Sequence, residues 1–167
     1  MDIVGKKYPF ELDSESACEN LAKSIADLIR SLPVMNAGFQ VWFDGDLGSG
    51  KTTLIRYIMR YLEYLGKVKS PTYNLCEPYS ILIHGQPMPL HHFDLYRMNH
   101  PLEWEEAGFK DILSLPGINF IEWPEKADNT LPSPDIKIHL KYVSKTGREG
   151  YIQAHSQLGQ TLMDNFA

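Results

Sequence analysis

Apolar positions along the chain alternate between a helical and a strand period. From Ser14 to Leu32 the residues Leu21, Ile25, Leu28, Ile29 and Leu32 share one helical face. Ser14 suits the N-cap, and Pro33 and Gly38 punctuate the end. Phe39-Gln40-Val41-Trp42-Phe43 is aromatic and β-branched, which predicts a buried strand. Leu54, Ile55, Ile58, Met59, Leu62 and Leu65 return to helical spacing, predicting a helix that runs until Gly66. Val68–Tyr73 reads as a short extended segment and turn, with Pro71 biasing Ser70 away from helix. Tyr73 to Tyr79 predicts a strand that Ser80–Ile83 either extends or turns back, and Gly85–Pro89 reads as a loop.

In the second half, Leu90–Leu95 predicts a strand with Asp94 at its C-terminal end. Pro101–Leu113 is helical in character and interrupted at Gly108. Gly117–Glu122 is again a strand ending in a carboxylate. Ile136, Ile138, Leu140 and Tyr142 alternate over residues 135–143, and a second alternating run includes Tyr151 and Gln153. With Ser144–Arg148 as the turn between them, the two predict a β-hairpin. The tail from about residue 158, and Gln160–Ala167 in particular, reads as loose.

The 167 residues fit one domain with one good core. A net charge of −5 argues against a broad nucleic-acid surface, which needs a basic stripe, but is compatible with a partner protein that holds the nucleic acid. Cys18 and Cys76 make no disulfide framework and read as small, buried or half-buried residues. Met1–Lys7 lacks the apolar core of a signal peptide, and no stretch reaches transmembrane length. A soluble, cytoplasmic protein with no membrane partner is expected.

The strongest chemical signal is Gly45-Asp46-Leu47-Gly48-Ser49-Gly50-Lys51-Thr52-Thr53, a complete phosphate loop of the G-x-x-x-x-G-K-[ST] type. Its glycines let successive backbone N–H groups wrap an anion, and the following helix adds the positive end of its dipole. Lys51 can reach β and γ phosphates, and the Thr52 hydroxyl can ligate Mg²⁺. The predicted strand before the loop and helix after it are the context the motif requires.

His92-Phe93-Asp94-Leu95-Tyr96-Arg97 is the second informative run. A phosphate-loop site needs a second metal-side group, usually a carboxylate at a strand end, and Asp94 fits that context. His91 and His92 are adjacent on a strand, so they face opposite ways and make a poor ligand pair. Arg97 can meet a phosphate or a carboxylate such as Glu103. Glu122 can orient or deprotonate an attacking water or sit in an ion pair, and Trp123 can stack on a base or fill core. Ser70-Pro71-Thr72 reads as a switch whose hydroxyls sense the γ-phosphate, or as a plain proline turn.

Taken in order, Gly45–Thr53, Ser70–Tyr73, His92–Arg97, Pro101–Gly108 and Glu122–Pro124 resemble the motif set of the TsaE (YjeE) family, the P-loop ATPases of bacterial tRNA threonylcarbamoyladenosine (t6A) synthesis. The resemblance runs from about Ser14 to the C-terminal hairpin. It implies a three-layer α/β P-loop NTPase fold with a mixed central sheet. It implies Mg²⁺-dependent ATP hydrolysis, slow in isolation and linked to TsaB and TsaD homologues that carry threonylcarbamoyl to adenosine 37 of tRNA, so that tRNA is met only indirectly or locally. Catalytic roles carry over to Lys51, Asp94 and Glu122, and metal-side roles to Thr52, Asp94 and Glu122. Nucleotide contacts carry over to residues 46–53 and Trp123. The Tyr79–Leu90 stretch is longer and richer in proline than the family pattern. Two alternatives stand beside this reading, a small-molecule or nucleotide kinase and a nucleotide-gated binding module with negligible hydrolysis. A kinase lid is poorly supplied, because Arg148 in the hairpin turn is the only arginine after Arg97.

Overall fold

A computed structural model describes residues 3–71 and 74–166. Its centre is a seven-stranded mixed sheet: β1 (Tyr8–Leu12), β2 (Gly38–Asp44), β3 (Cys76–Ile83), β4 (Gln86–Asp94), β5 (Gly117–Glu122), β6 (Ile136–Tyr142) and β7 (Arg148–Ala154). The spatial order is β1-β7-β6-β2-β5-β4-β3. Strands β6, β2, β5 and β4 run parallel, and the antiparallel pairs β1–β7, β6–β7 and β3–β4 finish the two sides. The parallel block places the C-terminal ends of β2, β4 and β5 together, the usual place for a ligand in an α/β sheet.

Period-two alternation divides the sheet into two faces. Phe39, Val41 and Phe43 of β2 join Leu90, Ile118 and Phe120 in one core, beneath α1 (Glu15–Arg30) and α2 (Lys51–Tyr61). Phe93 and Ile121, with Trp42 against them, face a second core under α3 (Glu103–Glu106), α4 (Phe109–Ser114) and the 3-10 turn Pro124–Ala127. The layers are thus helix, sheet and helix, as the family resemblance implies. Helix α1 has the expected cap, with Ser14 accepting from the Ala17 amide at 3.1 Å. Gly108, in the left-handed region at φ 83°, separates α3 from α4.

Three expectations are corrected. Helix α2 ends at Tyr61, short of Gly66, because Glu63 turns left-handed at φ 64°. The Glu63 amide then donates to the Arg60 carbonyl and the Tyr64 amide to the Met59 carbonyl, a Schellman ending that leaves Leu65 99% exposed. Residues 85–89 are not a loop: His84 and Gly85, both at positive φ, form a two-residue hairpin turn, and β4 begins at Gln86. Pro87 and Pro89 are tolerated because β4 first pairs with β5 at Leu90, so at these positions it has a neighbour on one side only. As far as Phe166 the C-terminal segment is not loose. Ser156 caps α5 (Gln157–Met163), accepting from the Gly159 amide at 3.0 Å, and Leu162 and Met163 are buried. Phe166 packs edge-on against Tyr8 at 6.3 Å.

Candidate active site

The loop between β2 and α2 is shaped by its glycines at two positions in particular. Gly50 caps α2 at φ 98°, ψ 14°, with no side chain bonded to the first turn, so the leading N–H groups of the helix stay available. A Cβ on Gly45 would run into the Leu140 carbonyl and come within 2.7 Å of Ser49 Oγ, so only glycine lets the loop pass β6.

Lys51 folds back into the loop and is 5% exposed. Its Nζ donates to the Gly45 and Asp46 carbonyls, the latter at 3.2 Å, and lies 4.1 Å from the centre of the Trp123 ring. Burial draws the Lys51 ammonium below its ordinary range, against the opposing pull of Glu122, Glu125, Asp94 and Asp44. Thr52 Oγ1 donates to Glu122, 3.0 Å from Oε1 and 3.2 Å from Oε2. Glu122, 2% exposed, is also met by His92 Nε2, 2.6 Å from Oε2.

Asp94 is the register partner of Glu122 across β4 and β5. Its Oδ1 accepts from the Tyr96 amide at 3.0 Å, and burial, reinforced by the Glu122 charge, raises its carboxyl above the ordinary range. Trp123 follows β5 in a left-handed conformation, φ 58° and ψ 47°, costly for a bulky side chain. That turn aims its ring at Lys51 and Tyr96, whose ring centre is 4.8 Å away, as well as at the second core.

The residues predicted from the sequence therefore converge. A cavity of about 320 Å³ is lined by residues 47–53, Asp94, Tyr96, Glu122, Trp123 and Arg148. Asp46 contributes through its carbonyl to Lys51. Ser70 is half-buried outside that lining, and Thr72 lies outside the described residues, as does Tyr73. Arg97 is exposed and away from the cavity, while Glu103 accepts from the Asn99 amide at 3.0 Å. Cys18 and Cys76 are free and half-buried.

Arg148 was legible only as a turn residue, yet it overhangs the phosphate loop. Strand β6 runs parallel to β2 with His139 beside Asp44, so the turn after β6 projects past the end of β2. Arg148 Nη1 donates to the Ser144 and Gly147 carbonyls at 2.6 and 2.9 Å, and the guanidinium carbon lies 4.6 Å from the Tyr142 ring centre. These contacts fix the side chain with Nε about 4.0 Å from where a Cβ on Gly50 would stand. A second cavity, about 440 Å³, shares Ser49, Gly50, Thr53 and Arg148 with the first and extends to Ser14, Cys18, Tyr57 and Leu140.

The donor set suits a phosphate ligand with a hard cation. Ser49 Oγ and Arg148 Nε are buried and have no hydrogen-bond partner among the described residues, so two polar atoms at the junction of the cavities are free for a ligand. No group of three or more His, Cys, Asp or Glu that could hold a metal occurs among the described residues. A hydroxyl and two carboxylates beside a phosphate site suit Mg²⁺, which takes one or two carboxylates and completes its shell with phosphate oxygens and water. No helix among the described residues is long and apolar enough to cross a membrane.

Comparison with known proteins points the same way. Residues 12–150 match the family described as "Threonylcarbamoyl adenosine biosynthesis protein TsaE". A tRNA threonylcarbamoyladenosine biosynthesis protein TsaE from Haemophilus influenzae is 35% identical over 156 residues, covering 93% of this chain and 95% of the relative. A protein of the same name from Bacillus subtilis is 30% identical over 127 residues, 76% of this chain and 75% of the relative. The crystal structure of Bacillus subtilis YdiB superposes with a TM-score of 0.71 at 21% identity, covering 98% of this chain and 95% of that one, a likeness of fold.

Proposed function

The chain belongs to the TsaE family of threonylcarbamoyl adenosine biosynthesis proteins, and from that membership we propose that it is a Mg²⁺-dependent ATPase whose hydrolysis of ATP drives turnover of the TsaB–TsaD threonylcarbamoyl-transfer pair. The observation that carries the reading is the convergence of Lys51, Thr52, Asp94 and Glu122 on one cavity at the C-terminal ends of β2, β4 and β5. Nucleotide binding alone needs the loop. Two carboxylates side by side at its edge, Asp94 with a single backbone amide for a partner, suit a cation or a water.

In this reading the free amides of the loop and of the first turn of α2 bind the phosphates, and Lys51 leaves its carbonyl partners to neutralise them. Arg148 adds its free Nε from the opposite wall. Thr52, Asp94 and Glu122 are the residues that would hold Mg²⁺, which supplies charge neutralisation of the phosphate oxygens when bound. Glu122 orients the attacking water, and the Trp123 and Tyr96 rings exclude bulk water from Lys51. The second cavity receives ribose and base. The acidic chain meets tRNA through its partners, and the cytoplasm is its place of action.

The test is phosphate release from ATP by the purified chain, with and without Mg²⁺ and with and without TsaB and TsaD homologues, alongside a screen for phosphorylated acceptors. Mg²⁺-dependent release that the partners stimulate is the expected result. A phosphorylated acceptor would make the chain a kinase. Tight ATP binding with no release in any mixture would make it a nucleotide-gated binding module.

A further inference from the structure

We propose that His92 is a positioning residue for Glu122, holding its carboxylate in the catalytic orientation from the side of β4; the proposal rests on the role given to Glu122 above. The Glu122 carboxylate has two side-chain donors from different elements, Thr52 on α2 and His92 on β4. They are not equivalent. A Thr52 hydroxyl that ligates a divalent cation does so through an oxygen lone pair, so its oxygen must be placed for the metal as well as its O–H for Glu122. His92 has no such second duty. Its ring is 0% exposed, and Nε2 lies 2.6 Å from Oε2, the shortest of the carboxylate's three side-chain contacts.

The surroundings of His92 argue against a packing role. It shares the sheet face of Leu90 and pairs in register with Phe120, both core residues, so an aliphatic side chain would suit the position. An imidazole is instead buried with Nδ1 lacking any hydrogen-bond partner among the described residues, a cost that core packing alone does not offset. The carboxylate accepts, so Nε2 carries the proton and points at Glu122. This is the arrangement by which outer groups orient the carboxylates of metal and phosphoryl-transfer sites.

Three variants are compared for single-turnover phosphate release, nucleotide affinity and the enhancement of that affinity by Mg²⁺, with circular dichroism to confirm folding. His92→Leu is expected to lower the rate about tenfold or more while changing Mg²⁺-free ATP affinity less than about twofold. His92→Gln, which keeps an N–H at similar reach, is expected to recover the rate to within about threefold of wild type. In a Glu122→Ala background, His92→Leu is expected to change rate and Mg²⁺ enhancement by less than about twofold, because the residue through which it acts is gone. A wild-type rate in His92→Leu overturns the proposal, as does equal damage from Leu and Gln or a full effect in the Glu122→Ala background. If the wild type releases no phosphate, the functional reading fails separately. The Mg²⁺ enhancement then decides: a loss in His92→Leu matching that in Glu122→Ala supports positioning, and an unchanged enhancement overturns it.

Discussion

Asp94 and Glu122 stand on the same rung of the sheet, the last paired residues of β4 and β5, yet they are held differently. Glu122 is buried and engaged by two side chains. Asp94 is half-buried, has one backbone amide on Oδ1, and its carboxyl lies above the ordinary range because of burial first and the Glu122 charge second. Side by side, two carboxylates repel, and a cation between them relieves the repulsion.

That difference separates their variants. Asp94→Ala is expected to remove most of the Mg²⁺ enhancement of ATP affinity, a loss of about tenfold to a hundredfold. Glu122→Gln keeps the hydrogen-bonding shape and is expected to leave affinity within about threefold while lowering phosphate release about a hundredfold. Titration calorimetry and a phosphate-release assay read the two effects. A Glu122→Gln protein that hydrolyses at the wild-type rate would make Glu122 structural.

Lys51→Ala is expected to lower phosphate release by about a hundredfold or more, since its ammonium neutralises charge that develops in the transition state. The fold is expected to persist, because the Nζ contacts are with loop carbonyls and with the Trp123 ring at the edge of the second core, not with fully buried core side chains. Unchanged binding and unchanged release together would remove the loop from the chemistry.

Arg148→Ala is expected to weaken ATP affinity about tenfold by removing a charge-assisted donor. Arg148→Lys is expected to restore only part of it, because a lysine reproduces neither the forked contacts to Ser144 and Gly147 nor the stack on Tyr142. Full affinity in Arg148→Ala would place the side chain outside the nucleotide contacts.

At Trp123 the backbone conformation makes an unusual ranking of variants. Glycine accepts φ 58° without a Cβ clash, so Trp123→Gly is expected to be more stable than Trp123→Ala by about 1 kcal/mol. Urea unfolding of the two proteins checks this, and a less stable glycine variant would show that the left-handed turn is not retained. Both variants are expected to lose the ring above Lys51 and with it some nucleotide affinity.

The Cys76 thiol is pushed up to about 12 by burial, with the Glu77 charge adding to it. At pH 8 only about one molecule in ten thousand then carries a thiolate, against roughly one in four for an unperturbed cysteine. Alkylation by iodoacetamide at pH 8 is expected to be far slower at Cys76 in the folded protein than in urea, and to accelerate as pH rises toward 12. Equal rates in both states would contradict the burial.

Much of this was legible in the sequence where one local signal sufficed. The Ser14 cap, the β2–loop–α2 unit, the break at Gly108 and the two strands ending in Asp94 and Glu122 each rest on a few adjacent residues. What was missed depended on conformations that the residue types do not advertise. Glu63 and His84 adopt left-handed backbone usually left to glycine or asparagine, so neither the end of α2 nor the β3–β4 turn is marked by its residue types. Helix α5 has a serine cap as clear as that of α1, but its glycine and polar residues hide the periodicity. Arg148 is legible from sequence only as a turn residue; its place over the phosphate loop is not, because that depends on β6 lying beside β2, a pairing between residues about a hundred positions apart.

The position of β1 sets an order of assembly. Among the described residues its only partner in the sheet is β7, and the registers Tyr8↔Ile152 and Leu12↔Arg148 join segments far apart in the sequence. A ribosome therefore releases Tyr8–Leu12 long before β7 exists for it to pair with, and the pairing closes a loop from Leu12 to Arg148, a long closure that slows folding. The docking of β6 beside β2, with β7 following it, delivers Arg148 to the phosphate loop. Nucleotide capture by a nascent chain would thus mark the completion of β7, and a ligand in the finished cavity would bind N- and C-terminal halves as one, raising the resistance of both to proteolysis.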